Sequence, residues 1–281
     1  MCLKPALLAT ALALLATPVL AQTTPVALKP AAASVVAAAP PQAKPAAPPP
    51  KLQKATPEQR AEVERLDPLA RAAFWAREVD VDPMDYEARL KLAKALRALG
   101  RYDEAGQAAD QLLVMQPNNL EGLLESARAR VAQNEGFYAI ESAQKAEALA
   151  PNDWRPVSLL AVALEQADRE PEALQAHRRA LQLAPNNPAT LTNLGMYYAT
   201  HGQAAQAEPL LRQAAAAPGA GAQERQNLAL VLGLEGKYAE AEQLQRQDLP
   251  PEQVSNDQAY LRAATDPAPT RSWDSLKAAT P

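Results

Sequence analysis

The sequence predicts an all-α protein, a solenoid in which five helix pairs of 34 residues are stacked one after another. Composition favours helices: 48% of residues are hydrophobic but only 4% are aromatic, and alanine, the strongest helix former, is very common. The repeat is marked by one column of alanines at a spacing of 34 residues. That column consists of Ala105, Ala139, Ala173, Ala207 and Ala241.

Residues 1–21 are predicted to be a signal peptide. Lys4 precedes an apolar run from Ala6 to Leu20, and the small residue Ala21 follows at the expected cleavage point. The run is shorter than the roughly 20 residues of a membrane-spanning helix, and we expect no membrane span. Cys2, the one cysteine, lies before the run and not at a lipid-bearing position. We therefore expect an exported, periplasmic protein that would reach the outer membrane only through partners.

Residues 22–55 are predicted to be an extended, disordered linker. They are rich in Pro and Ala, include Pro48-Pro49-Pro50, and show no helical periodicity. Two interpretations remain open. The segment is either a plain spacer or, because it contains four lysines and no acidic residue, a basic tether on an acidic envelope surface.

The five predicted repeats cover residues 86–255, and a second column of small residues supports them. The two helices of a pair must approach closely at the eighth and twentieth positions of each unit, where only a small side chain fits. The eighth position holds Ala93, Ala127, Ala161, Gly195 and Ala229.

The turn between the two helices of a pair requires a residue that tolerates left-handed backbone geometry. Each unit has such a residue at the same place, and a proline near the end of the first four units stops the second helix. The turn residues are Gly100, Asn134, Asp168, Gly202 and Gly236.

Both ends of the solenoid are predicted to carry caps, because a terminal repeat would otherwise expose its apolar face. Residues 56–85 form a degenerate N-terminal unit that begins with Thr56-Pro57 and has Trp75 in its second helix. At the other end, Pro251 to Ala264 fits a capping helix, whose final part is 256–264, and residues 265–281 are predicted to be a disordered tail.

These columns resemble the tetratricopeptide repeat (TPR) family pattern, as in Leu92-Ala93, Gly100-Arg101-Tyr102, Ala105 and Gln116-Pro117-Asn118-Asn119. The resemblance implies a right-handed superhelix. It also implies that the first helix of each pair lines a concave surface that binds an extended peptide or a helix of a protein partner. The chain departs from the family at a bulky position of the second helix, which holds Ala109, Ala143 and His177.

The concave positions that the resemblance implies divide into two parts. The first three units are basic with acidic margins, whereas the fourth and fifth are uncharged and partly apolar. The alternative is a merely solvated inner face. A carboxylate clamp of the chaperone-binding type is not expected, because Leu90 and Glu125 stand where it needs Lys and Asn. The candidate peptide-binding residues are Lys91, Lys94, Arg97, Arg128, Arg155, Asn193, Met196, Asn227 and Leu230.

Enzymatic activity, a cofactor and a metal site are not expected, because the sequence has no Walker loop, HExxH, GxSxG or cysteine pair. The two histidines, His177 and His201, are expected to be structural or solvated. An acidic cluster around Asp82 and Asp85 lacks the glycine and distal glutamate of a calcium loop. The formal net charge of −4 disfavours nucleic acid as a partner.

The segment from Arg246 to Arg262 resembles the closing segment of TadD-type proteins, which belong to Flp (tight-adherence) pilus assembly. This resemblance implies a role in assembling a pilus secretion system, although the lipid-bearing cysteine of some members is missing. Two other interpretations stay open. The chain could be a general cell-envelope TPR assembly factor, or the regulatory arm of an envelope enzyme whose catalytic site lies in a partner.

Overall fold

The computed structural model describes residues 53–265, which lie within one compact unit. The predicted signal peptide, the linker before residue 53 and the tail after residue 265 lie outside the described residues. The described chain forms thirteen helices and no strand, which confirms the predicted all-α fold. The helices are α1 (Pro57–Val63), α2 (Pro68–Val81), α3 (Tyr86–Ala98), α4 (Tyr102–Met115), α5 (Leu120–Ala132), α6 (Gly136–Leu149), α7 (Trp154–Gln166), α8 (Glu170–Leu183), α9 (Pro188–Thr200), α10 (Ala204–Ala216), α11 (Ala222–Leu234), α12 (Tyr238–Gln245) and α13 (Pro251–Thr265).

Helix starts advance along the chain in steps of 34 residues. The first helices of successive pairs, α3, α5, α7, α9 and α11, begin at residues 86, 120, 154, 188 and 222. The last pair differs from the others, because α12 has 8 residues where α4, α6 and α8 have 14. Pro250 and Pro251 follow soon after it, and since proline favours the first turn of a helix, α13 begins there.

Both columns of small residues lie at the contact between paired helices. The five alanines from Ala105 to Ala241 are at most 1% exposed, and the alanines of the eighth position are fully buried. At Gly195 a Cβ atom would lie 2.8 Å from Cγ of Leu211, so even alanine would require Leu211 to move. The close helix packing that the small residues predict is therefore present.

The five turn residues between paired helices all adopt positive φ, as their residue types predict. Asn134 has φ 61° and Asp168 has φ 56°, and the three glycines lie between 71° and 77°. The turn between α10 and α11 adds Gly219 at φ 85°. Positive φ is disfavoured for residues with a Cβ atom, so these positions fix where each pair folds back on itself.

The stack has two different faces. The first helices of successive pairs contact one another from α3 through α5, α7 and α9 to α11. The second helices pack mainly against their flanking first helices. Ion pairs also link neighbouring second helices, Arg179 of α8 with Glu147 of α6 and Arg212 of α10 with Glu240 of α12. We call the side formed by α3, α5, α7, α9 and α11 the inner face, and the side formed by α4, α6, α8, α10 and α12 the outer face.

A buried ionic network holds the N-terminal end together. Arg60 donates hydrogen bonds of 2.6 Å to both Glu78, which is fully buried, and Asp85. The backbone N–H of Ala55 also bonds Glu78, and Lys54 lies 2.7 Å from Asp85. Burial opposes the charge on Asp85, but the hydrogen bonds from Arg60 and Lys54 outweigh it and hold its pKa well below the ordinary value. Lys54 and Ala55, at the end of the predicted linker, are thus attached to the helical stack.

At the C-terminal end, α13 packs against α11 and α12. The contact is tight where Leu261 meets Gly233, because a Cβ atom there would lie 2.4 Å from Cδ1 of Leu261. Gln258 is buried and donates a hydrogen bond of 2.8 Å to Gln245. Within residues 53–265, no helix has the length and apolar character needed to cross a membrane.

Candidate functional site

The charged part of the inner face is a chain of ion pairs that runs across three repeats. Glu121 of α5 receives a hydrogen bond of 3.0 Å from Lys94 of α3 and one of 2.8 Å from Arg155 of α7. Arg155 also pairs with Asp153 at 2.6 Å. Partial burial opposes the charge on Glu121, but these two hydrogen bonds keep its pKa below the ordinary value.

A second carboxylate binds the two remaining arginines predicted for this part of the face. Glu125 is only 1% exposed, and it accepts hydrogen bonds from Arg97 at 2.7 Å and from Arg128 at 2.6 Å. Lys91 is paired with Glu64, which follows α1, at 3.2 Å. All five predicted cations of the inner face therefore have an acidic partner.

The uncharged part of the inner face lies on α9 and α11. Asn193 donates a hydrogen bond of 2.9 Å to the Ser158 hydroxyl, so its amide is already engaged within the stack. Met196 is partly buried against the core that α9, α10 and α11 share. Asn227 and Leu230 of α11 are partly exposed. Unlike Gln226, which bonds Asp248, Asn227 makes no side-chain hydrogen bond to any described residue.

One further polar group in this part has no partner. The hydroxyl of Thr192 on α9 is buried and makes no hydrogen bond in the described part of the chain. A buried hydroxyl without a hydrogen-bond partner is unfavourable, so the Thr192 hydroxyl lacks a partner that a folded protein normally supplies. Nothing in the sequence pattern distinguishes Thr192 from an ordinary inner-face residue, and it is not one of the predicted binding residues.

Side-chain hydrogen bonds connect most neighbouring inner helices. Helices α3 and α5 are joined through Lys94 and Arg97, and α5 and α7 through Arg155 and through Gln166, which donates to the Val131 carbonyl. Helices α7 and α9 are joined by Asn193 with Ser158 and by Thr200 with Glu165. No hydrogen bond or ion pair joins α9 to α11 within residues 53–265. We call this contact between α9 and α11 the open seam.

Both histidines have structural surroundings. His177 is buried and lies 3.3 Å from a carboxylate oxygen of Glu165, and the ring of His201 stacks on that of Tyr197 at 4.1 Å. Asp82 and Asp85 of the acidic cluster are paired with Lys54. The part of the chain that the structure describes contains no group of three or more side chains able to hold a metal ion.

A tetratricopeptide repeat model matches residues 189–217, which cover α9 after its first residue and all of α10. No curated protein matches the chain. Among solved structures, a thermophilic TPR protein from Thermus thermophilus is 23% identical, covers 63% of this chain and 99% of its own, and gives a TM-score of 0.57.

Two more solved structures have a similar fold. A tetratricopeptide repeat protein from Parabacteroides merdae is 11% identical, with 73% of this chain and 79% of that chain covered and a TM-score of 0.60. MamA from Desulfovibrio magneticus is 19% identical, with 56% and 89% covered and a TM-score of 0.50. At such identities the likeness is one of fold. Residues 189–217 thus match a tetratricopeptide repeat model, and the described helices share the fold of these solved TPR proteins.

Proposed function

We propose that this chain is an exported, non-catalytic adaptor that holds a segment of another protein on its inner face, at the open seam between α9 and α11. A protein-interaction scaffold is supported by the TPR match and by the fold, which generally serves binding and not catalysis. The location of the contact is our inference from the polar groups of the inner face.

The observation behind this location is the unequal use of polar groups along the inner face. In the charged part, Lys94, Arg97, Arg128 and Arg155 are already bonded to Glu121 and Glu125. A ligand would have to break these pairs to reach the cations. On the two helices of the open seam, Asn227 of α11 has no partner among the described residues and the buried Thr192 hydroxyl of α9 is unsatisfied. Binding there costs no existing hydrogen bond.

The chemistry of the open seam indicates the kind of segment that fits. A free amide such as that of Asn227 can donate to a peptide carbonyl and accept from a peptide N–H. Met196 provides apolar surface at the seam, Leu230 provides partly exposed apolar surface on α11, and methionine adapts readily to varied side chains. The ligand is therefore an extended segment with uncharged, apolar side chains. The acidic ligand that an unpaired basic surface would favour is not the expected one.

The test is site-specific photocrosslinking in the native cell, with a photoreactive residue placed at Met196 or, as a matched control, at Lys94. Both occupy the ninth position of their repeats. We expect a discrete crosslinked protein at position 196 and none at 94, and we expect Asn227→Ala with Leu230→Glu to abolish it. An equal yield at both positions, or a yield that the double substitution leaves unchanged, would overturn the assignment of the seam.

For the cellular role we propose periplasmic assembly of a Flp-type pilus secretion system. Support comes from the N-terminal sequence and from the likeness of residues 246–262 to the TadD-type closing segment. In the structure this stretch comprises the turn after α12 and most of α13, so it belongs to the C-terminal cap.

Two measurements test this role. Cell fractionation should place the protein in the periplasm, and its gene should lie beside genes for a pilin, a secretin and a secretion ATPase. A periplasmic protein without such neighbours would indicate a general envelope assembly factor instead. A crosslinked partner with enzymatic activity would indicate the regulatory arm of an envelope enzyme. Recovery of the protein from the cytoplasm alone would refute export.

A further inference from the structure

Two aromatic side chains on the outer face are exposed and belong to none of the buried hydrophobic clusters. Phe137 and Tyr138, in the first turn of α6, are 73% and 62% exposed, and their rings meet edge to face at 5.5 Å. The equivalent positions of the other repeats carry charged, polar or small residues. These are Asp103 and Glu104, Pro171 and Glu172, Ala205 and Gln206, and Ala239 and Glu240.

The packing of α6 against α7 explains why these rings lie outside. Helices α4 and α12 each begin with a tyrosine, Tyr102 or Tyr238, which is partly buried. At the same place α6 has Gly136, where a Cβ atom would lie 2.4 Å from the Ala163 carbonyl oxygen. No ring fits there. The aromatic residues instead occupy the next two positions, which face solvent, and an exposed aromatic patch of this kind is typical of an interaction surface.

A cavity of about 330 Å³ adjoins the patch between α4 and α6, and Tyr138 forms part of its wall. Its apolar lining comes from Leu113, Pro117 and Leu123. Its charged groups are paired within the cavity, Arg130 with Asp110 at 2.6 Å and Lys145 with Glu141 at 2.8 Å. The cavity is therefore electrically balanced, and it suits an uncharged side chain such as an aromatic ring.

We propose that this outer patch is the interface of a homodimer in which Phe137 of each copy enters the cavity beside Tyr138 of the other. A two-fold axis requires one patch to be complementary to itself. Here the protruding ring and the cavity are neighbours on one surface, so two copies related by such an axis satisfy each other. The paired charges of the cavity allow two copies of a chain with net charge −4 to meet without local repulsion.

The size of the patch indicates weak association. An aromatic side chain buries about 150–250 Å², so four partly exposed rings would contribute on the order of 500 Å². Stable interfaces bury about 1,200 Å² or more in total. Because this area is well below that of a stable interface, we expect weak dimerisation that depends on protein concentration.

Sedimentation equilibrium of the full chain, from about 1 µM to about 300 µM, tests for weak association that depends on concentration. The parent should shift from monomer to dimer, and Phe137→Ala should weaken dimerisation at least tenfold with an unchanged melting temperature. Tyr260→Ala is the matched control, because Tyr260 is a 53% exposed aromatic residue on α13, away from the patch. A parent that stays monomeric, or equal dimerisation of Phe137→Ala and parent, overturns the proposal.

Cysteine crosslinking then tests the arrangement in the dimer. In a Cys2→Ser background, Phe137→Cys chains are mixed with Lys145→Cys chains and treated with a short bis-maleimide. We expect crosslinked peptides that join position 137 of one chain to position 145 of another. If dimers form but the only crosslinks join other positions, the exchange of Phe137 between copies is refuted.

Discussion

Two glycines within the helices should respond in opposite ways to the same substitution. At Gly136 an added Cβ atom would lie 2.4 Å from the Ala163 carbonyl oxygen and 2.5 Å from Cβ of Gln166. Normal contacts between carbon atoms are about 3.5–4.0 Å, so α6 and α7 must move apart. At Gly106, in the interior of α4, the nearest atom is Cβ of Ala129 at 3.5 Å, which is ordinary contact.

The magnitudes follow from these distances. Overpacking a tight site costs about 1–3 kcal/mol, and we expect Gly136→Ala to lower the free energy of unfolding by this amount. Gly106→Ala relieves the entropic cost of a helical glycine and should raise it by about 0.5–1 kcal/mol. For a helical body of this size, a change of about 1 kcal/mol shifts the melting temperature by about 2–4 °C. The two variants should therefore fall on opposite sides of the parent.

Thermal and urea unfolding, followed by far-ultraviolet circular dichroism, measures both effects. Each variant is compared with the parent at one protein concentration, because the proposed dimer would otherwise contribute to the apparent stability. A Gly136→Ala protein as stable as the parent would show that α6 and α7 are not in the close contact described. A destabilised Gly106→Ala protein would contradict the packing of α4 on α5.

Two further predictions concern the repeat and its charges. Ala173→Leu should destabilise the protein by about 1–3 kcal/mol, because the fully buried Ala173 leaves no room between α7 and α8, and an unchanged melting curve would count against the register. The pKa values of Asp85, Glu121 and Asp153 are lowered in the fold, so the stability that these carboxylates contribute is complete above their ordinary pKa of about 4 and is lost as the pH falls below it. Burial raises the pKa of Asp257 and opposes this trend. We expect the melting temperature to fall between about pH 5 and pH 2, and a flat profile there would refute the ion pairs.

The sequence was a reliable guide to the helices because the positions that determine them are local. Small residues such as Ala105 and turn residues such as Asn134 act within one helix pair, so their 34-residue spacing directly predicts helix positions. The short length of α12 is less apparent from the sequence than the helix positions are. The spacing predicts a fifth repeat that runs to residue 255 and a capping helix that begins at Pro251, whereas α12 already ends at Gln245, five residues before Pro250.

The candidate site was less predictable, because it depends on contacts between repeats. The repeat register places the cations Lys94, Arg97 and Arg155 at inner-face positions, but their pairing depends on the lateral offset of neighbouring helices. The sequence does contain one indication of this pairing. Glu121 and Arg155 occupy the same position in successive repeats, 34 residues apart, and such residues are neighbours in a stack. Opposite charges there indicate a bond between repeats, not a free basic surface.

The open seam also has a mechanical consequence. Side-chain hydrogen bonds join α3 to α5, α5 to α7 and α7 to α9, whereas among the described residues α9 and α11 are held together by apolar packing alone. Apolar surfaces slide past one another more easily than hydrogen-bonded ones, so the inner face should open most readily between α9 and α11. On the outer face the same two repeats stay linked by the ion pairs of Arg212 with Glu240 and of Lys237 with Glu208. A peptide that hydrogen-bonded Asn227 and packed on Met196 would supply the missing link between α9 and α11, and its binding would restrict this opening of the inner face.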